Sequence, residues 1–195
     1  MRLLIIGDSH CRELESTFTQ LSPEIDSYII SVGSRMNDII FKYTLKLPDI
    51  NLFNPDTVIV HFGHNDIVKH PSKNPTPTLT TVVAHRTIAF CMQIQTNHPN
   101  ATIHISATFP RTFTPHSTLT LHQVSSYNKK MKRQGQRLRT LATIANFNCL
   151  INNVMWRRIS AAIEDHTLYS RNGLHLDNSG RLAVVAEWLT QIIPV

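Results

Sequence analysis

Ser9, Gly33, Asn65 and His175 are the residues of this 195-residue chain whose types and settings point to a reaction. A serine hydroxyl becomes a nucleophile once a base takes its proton, and histidine is the commonest base. A backbone N–H exposed by glycine and an asparagine amide are donors able to hold an oxyanion. The first three residues each follow an apolar, β-branched run. Arg2-Leu-Leu-Ile-Ile6 stops at Gly7-Asp8-Ser9-His10, Ser27-Tyr-Ile-Ile-Ser-Val32 at Gly33, and Thr57-Val-Ile-Val-His-Phe62 at Gly63-His64-Asn65-Asp66. His175 closes Asn172-Gly173-Leu174-His175, just ahead of the last helical stretch. Together these are the parts of an acyl-transfer site: a nucleophile, a base and oxyanion donors.

The runs themselves read as strands, with 101–107 and 146–151 as two more. Val124, Tyr127, Met131, Leu138 and Leu141 recur on one face of a helix, as do Leu182, Val185, Ala186, Leu189 and Ile193 behind the capping sequence Asp177-Asn-Ser-Gly180. Weaker helical patterns cover 10–20, 36–47, 79–96 and 153–165. Strand alternating with helix predicts a single α/β domain over 1–195 with a mostly parallel sheet, fully apolar strands being those buried on both faces. The ends of such strands open on one edge, where ligands bind, so Ser9, Gly33 and Asn65 are expected to meet there. The proline-rich segment His70-Pro-Ser-Lys-Asn-Pro-Thr-Pro-Thr78 follows the third strand and would form a connector, or a wall or lid over that edge.

A hydrophobic content of 42% excludes wholesale disorder, and no apolar run approaches the roughly 18 residues that span a bilayer. The apolar stretch after Arg2 stops too early for a secretory signal. Cys11, Cys91 and Cys149 are odd in number and lie far apart, which argues against a disulfide framework and for a reducing, cytoplasmic setting. The net charge of +6 permits an anionic partner.

The order Gly-Asp-Ser, isolated Gly, Gly-x-Asn-Asp and Gly-Leu-His resembles the SGNH (GDSL-type) hydrolase superfamily, over Gly7 to His175. Singly, Ser9 would cap a helix, Asn65 would form a turn and His175 would be a surface histidine. Four blocks in order are specific. The resemblance implies a flavodoxin-like three-layer α/β/α sandwich, with a five-stranded parallel sheet in order 2-1-3-4-5, and serine esterase activity without a cofactor. It assigns Ser9 as nucleophile and His175 as general base. The Ser9 and Gly33 N–H groups and the Asn65 amide become the oxyanion hole, with Asp8 and Asp66 supporting the loops.

Two positions depart from the family. His10 stands where leucine is usual and has no evident role. Asn172 stands where the acidic triad member belongs. Its carbonyl could accept the His175 Nδ1–H but cannot stabilise the imidazolium by charge, and Asp177 is the nearest alternative carboxylate. Two functions therefore stay open: an esterase for acetyl-type or lipid esters, or a weak or inert hydrolase domain acting as a binding module.

His61-x-x-His64 has the look of metal ligands, yet strand residues three apart face opposite ways, so no metal site is expected. Lys129-Lys-Met-Lys-Arg133 with Arg137, Arg139 and Arg157-Arg158 reads first as a solvated helix face, and second as a contact for RNA or an anionic membrane. Gly63-His-Asn-Asp66, the Asn-Pro-x-Pro loop, Phe109-Pro-Arg111, Tyr127-Asn128 and Arg171-Asn-Gly-Leu-His-Leu176 also resemble the esterase domain of first-open-reading-frame proteins of vertebrate LINE-type retrotransposons. That resemblance implies a domain excised from a longer protein, oligomerising through segments absent here, in a cytoplasmic ribonucleoprotein particle.

Overall fold

The computed structural model describes residues 1–33, 35–68, 77–161 and 167–193. Five parallel strands, β1 (Arg2–Gly7), β2 (Asp26–Ser31), β3 (Thr57–His61), β4 (Thr102–Ser106) and β5 (Asn148–Leu150), form one sheet in the order β2-β1-β3-β4-β5. The expected strand order holds, and the strands end within a few residues of where the apolar runs do.

Alternation along β1 divides the core. Leu4 and Ile6 face one side with Val58, Val60, Ile103 and Ile105, under α2 (Met36–Leu45), α3 (Leu47–Phe53), α4 (His64–Val68), α5 (Pro77–Asn97) and α6 (Leu121–Ile144). Leu3 and Ile5 face the other with Ile59, under α1 (Leu14–Leu21), α7 (Asn153–Ala161) and α8 (Asn178–Ile192). Each apolar strand is thus covered on both faces, giving the three-layer sandwich.

α3 and α4 lie outside the expected helices. Pro48 enters α3 within its first two positions, where its missing N–H is harmless, so a residue that reads as a breaker here starts a helix. α6 spreads its cations outward: Lys129, Lys132, Arg133, Arg137 and Arg139 are exposed, while Tyr127, Met131, Gln134 and Leu138 are buried beneath. Residues 70–76 of the proline-rich loop lie outside the described residues, as does the side chain of Arg158. Among the described residues no helix is long and apolar enough to cross a membrane.

Register fixes where the site opens. Gly7 is level with Ser31 on β2 and His61 on β3, so the turns carrying Ser9, Gly33 and Asn65 leave from one edge. Gly7 makes that turn tight. A Cβ there would collide with Cys11 Sγ and come within 2.6 Å of the His61 carbonyl oxygen. Gly7→Ala is expected to lower stability by about 1–3 kcal/mol, the cost of overpacking a site that cannot relax, read as a lower urea midpoint at unchanged m-value.

Candidate active site

Ser9 begins a single helical turn, Ser9–Cys11, capped by Asp8, whose Oδ1 accepts the His10 N–H at 3.0 Å. The His175 ring arrives from the far end of the chain, its Nε2 3.1 Å from Ser9 Oγ. The two are in direct hydrogen-bond contact, the arrangement that a nucleophile and its base would need.

A small hairpin presents His175. Tyr169 and Leu176 pair as an antiparallel bridge, and the Ser170 N–H donates to the His175 carbonyl at 2.8 Å. At the tip Gly173 adopts φ +67°, and a Cβ would strike the Thr112 carbonyl oxygen. The loop after β4 straps this tip: Thr112 N–H donates to Gly173 O at 3.1 Å, and the Thr114 hydroxyl to Arg171 O at 2.8 Å.

Asn172 does not hold His175 as expected. Its Oδ1 accepts from the N–H groups of Leu174 (2.9 Å) and His175 (3.1 Å) and from the Ser170 hydroxyl (2.9 Å). Three donors fix the oxygen, so the amide nitrogen is turned to His175 Nδ1, 3.1 Å away. An N–H aimed at Nδ1 makes that nitrogen an acceptor and puts the ring proton on Nε2, facing Ser9. At rest the histidine therefore donates to the serine, the reverse of the direction catalysis requires. Asp177 offers no substitute: it caps α8, its Oδ1 accepting the Gly180 N–H at 2.7 Å.

Asn65 is buried on α4, and Gly33 is exposed at the bend after β2. Asp66 Oδ2 accepts the Met36 N–H at 3.0 Å, tying α4 to the start of α2 beyond Gly33. Asp8 and Asp66 thus each accept a backbone N–H at this edge.

Behind this edge lie polar residues to which the sequence assigned no part in the site. His61 and His64 go separate ways, His61 packing on Phe109 and hydrogen-bonding Ser106 Oγ at 2.9 Å. Asn152 joins that serine to the Trp188 Nε1–H. Arg111 donates to His64 Nε2 at 2.6 Å, which leaves the ring proton on Nδ1, toward the Tyr127 hydroxyl. The same guanidinium lies 4.7 Å over the Tyr127 ring, and Asn128 bonds the Arg111 backbone N–H and C=O, each at 2.8 Å. Phe109-Pro-Arg111 and Tyr127-Asn128 were visible only as marks of a resemblance. Of these only Tyr127 falls on the apolar helical face that the sequence marks; Phe109-Pro-Arg111 lies in the loop after β4.

Asp8, His10 and His61 bring donor atoms within 4.8 Å of one another, the sole such cluster among the described residues. Both His10 nitrogens are already engaged, facing Asp8 Oδ1 (3.0 Å) and the Leu174 carbonyl (3.1 Å).

Burial pushes the His61 ring down to about 4 and His64 well below its ordinary value. Burial, then the neighbouring His10, also lowers His175. Burial opposes ionisation of Asp8, yet the His10 charge and hydrogen bond hold its carboxyl well below the usual carboxylate range. These shifts set an acid limit. Between about pH 6.5 and 4 the unfolded chain binds protons at His61 that the fold refuses, so stability falls by about 3 kcal/mol from that ring alone. Asp8 adds its loss below about pH 4. Urea midpoints should drop steadily from pH 7 to pH 4.5; a flat profile would contradict the buried neutral ring.

No protein-family model matches the chain, and no curated protein sequence does. Solved structures do. An acetyl xylan esterase, AlAXEase, matches with TM-score 0.66 at 15% identity, over 99% of this chain and 100% of its own. A lipase/acylhydrolase from Enterococcus faecalis gives 0.67 at 13% identity, over 98% and 94%. A GDSL-like lipase from Bacteroides thetaiotaomicron gives 0.66 at 11%, over 98% and 89%. The fold is that of the SGNH hydrolases. An SGNH fold places its strand ends on a common edge, which is where this chain gathers Ser9, Gly33 and Asn65.

Proposed function

We propose that this chain is a serine esterase for small acyl esters. The observation that carries the reading is the 3.1 Å contact between His175 Nε2 and Ser9 Oγ at the sheet edge. In this mechanism the His175 ring proton first shifts from Nε2 to Nδ1, and Ser9 Oγ then attacks the ester carbonyl carbon as its proton passes to the freed Nε2. The carbonyl oxygen gains the negative charge and is met by the Ser9 and Gly33 N–H groups and the Asn65 amide. Collapse breaks the bond to the alcohol oxygen, which leaves with the proton held by His175. Water, activated by the same ring, then releases the acid and restores Ser9.

The cleft at Ser9 favours short acyl groups over lipid chains. It measures about 290 Å³ and is lined by Arg12, Glu13, Ser170 and Arg181, with Leu176 as its one aliphatic wall. That the similar structures include an acetyl xylan esterase and a lipase/acylhydrolase supports acetyl-type esters as the substrate class. A reducing, cytoplasmic setting accords with three free cysteines. The retrotransposon parent gains no support from these structures. Contact of the exposed α6 cations with RNA or an anionic membrane stays a separate proposal, tested by salt-dependent binding.

The second reading, a binding module of little or no turnover, is favoured by one observation, the Asn172 amide turned toward His175.

Incubation with a serine-directed phosphonate and peptide mass spectrometry tests the first reading, which expects the adduct on Ser9. Labelling elsewhere, or none while esters are hydrolysed, overturns it. Among p-nitrophenyl esters, acetate should be turned over faster than octanoate. Because the base must be unprotonated and His175 lies below its ordinary value, kcat/KM should rise with pH to a plateau, its midpoint below about 6.5.

A further inference from the structure

We propose that His10 is held as an imidazolium that straps the nucleophile turn to the histidine hairpin, and is thereby the positioning residue for the Ser9–His175 pair. The proposal rests on the serine-esterase reading for its catalytic meaning and on geometry for its charge. A neutral imidazole has one N–H, and its other nitrogen carries a lone pair. Here Nδ1 lies 3.0 Å from Asp8 Oδ1 and Nε2 lies 3.1 Å from the Leu174 carbonyl oxygen. Both oxygens accept and neither can donate, so a neutral ring would set lone pair against lone pair at one of its ends. Two protons satisfy both contacts, and the positive ring then pairs with the Asp8 carboxylate in a setting where His10 is 4% exposed and Asp8 1%. A buried carboxylate requires such a partner.

The other groups around the ring leave this charge to His10. His61, His64 and Phe109 approach it edge to face at centroid distances of 5.8, 5.1 and 5.6 Å, and His175 lies tilted at 5.9 Å. His61 and His64 are kept neutral by burial. Arg111 donates to His64 Nε2, and none of the ion pairs among the described residues involves it.

The strap has two consequences for the pair. Leu174 directly precedes His175, so a charged hydrogen bond to its carbonyl fixes the hairpin against the turn that carries Ser9, across 164 positions of sequence. The same charge repels a second proton on His175 and keeps the base free at lower pH. His10 thus governs both where His175 stands and when it is unprotonated.

The test begins without a substitution. In uniformly ¹⁵N-labelled protein near pH 7, both ring nitrogens of His10 should give protonated-type shifts; one bare nitrogen would overturn the charge. His10→Gln retains an amide donor and removes the charge. It should move the His175 titration, followed by ring NMR, to higher pH. It should also lower kcat on p-nitrophenyl acetate at least tenfold with KM changed less than threefold. A His175 titration that does not move in His10→Gln, or in His10→Asn should the first variant fail to fold, would overturn the positioning role. Both NMR outcomes are independent of turnover, so failure of the esterase reading would show separately, as absence of a Ser9 adduct.

Discussion

Ser9→Ala is expected to remove all ester turnover above the uncatalysed background. The hydroxyl is the atom to which the acyl group would be transferred, and its hydrogen bond in the structure is to His175 Nε2. Losing the nucleophile of such a pair costs on the order of 10³-fold or more. The fold should barely notice. One half-buried hydroxyl is exchanged for a hydrogen, and the cap of that turn belongs to Asp8. Thermal unfolding within about 0.5 kcal/mol of the parent chain, beside a complete loss of p-nitrophenyl acetate hydrolysis, is the expected pair of results. Equal rates for the parent and Ser9→Ala would instead make the chain a binding module.

The second large effect runs in the opposite direction. Asn172→Asp should increase kcat by at least tenfold and as much as ~10³-fold. One carboxylate oxygen can keep the bonds now made to the Leu174 and His175 N–H groups and the Ser170 hydroxyl. The other replaces an N–H donor by an acceptor 3.1 Å from His175 Nδ1. The ring proton then moves to Nδ1, Nε2 becomes free to take the serine proton, and the imidazolium of the transition state gains a counter-charge. In serine triads the reverse change, acid to amide, costs about 10⁴ in kcat, largely through the wrong tautomer. The gain here is smaller because the His10 charge beside His175 persists. Asp177→Asn should leave kcat unchanged and the α8 cap nearly so, because asparagine accepts the Gly180 N–H about as well as aspartate. A silent Asn172→Asp would show that the amide does not govern the ring.

The sheet was legible because it rests on local signals. The first three apolar runs each end at a glycine, and register alone carries Ser9, Gly33 and Asn65 to one edge. Asp177 was legible as a cap for the same reason. What stayed hidden depended on partners distant in sequence or on competition between donors. Asn172 was expected to offer its carbonyl. Which end of an amide meets a ring is decided by the other hydrogen bonds the amide makes, and those exist once the hairpin is folded. His10 looked like an unexplained departure because one of its two acceptors lies 164 residues away. α3 was missed because a proline reads as a stop unless its position in the first turn is known.

The pairing of Ser9 with a histidine 166 positions away also bears on how the molecule is built in time. The nucleophile turn belongs to the first strand, whereas its base waits for the final hairpin and for α8 to settle beside α1, where Arg181 meets Glu13 at 2.7 Å. Closing so large a loop is entropically costly and comes late in folding. A refolding chain should regain its helical signal first and reactivity toward a phosphonate last, in step with the slowest phase. During synthesis, the serine would remain without its partner until the segment that carries His175 has left the ribosome.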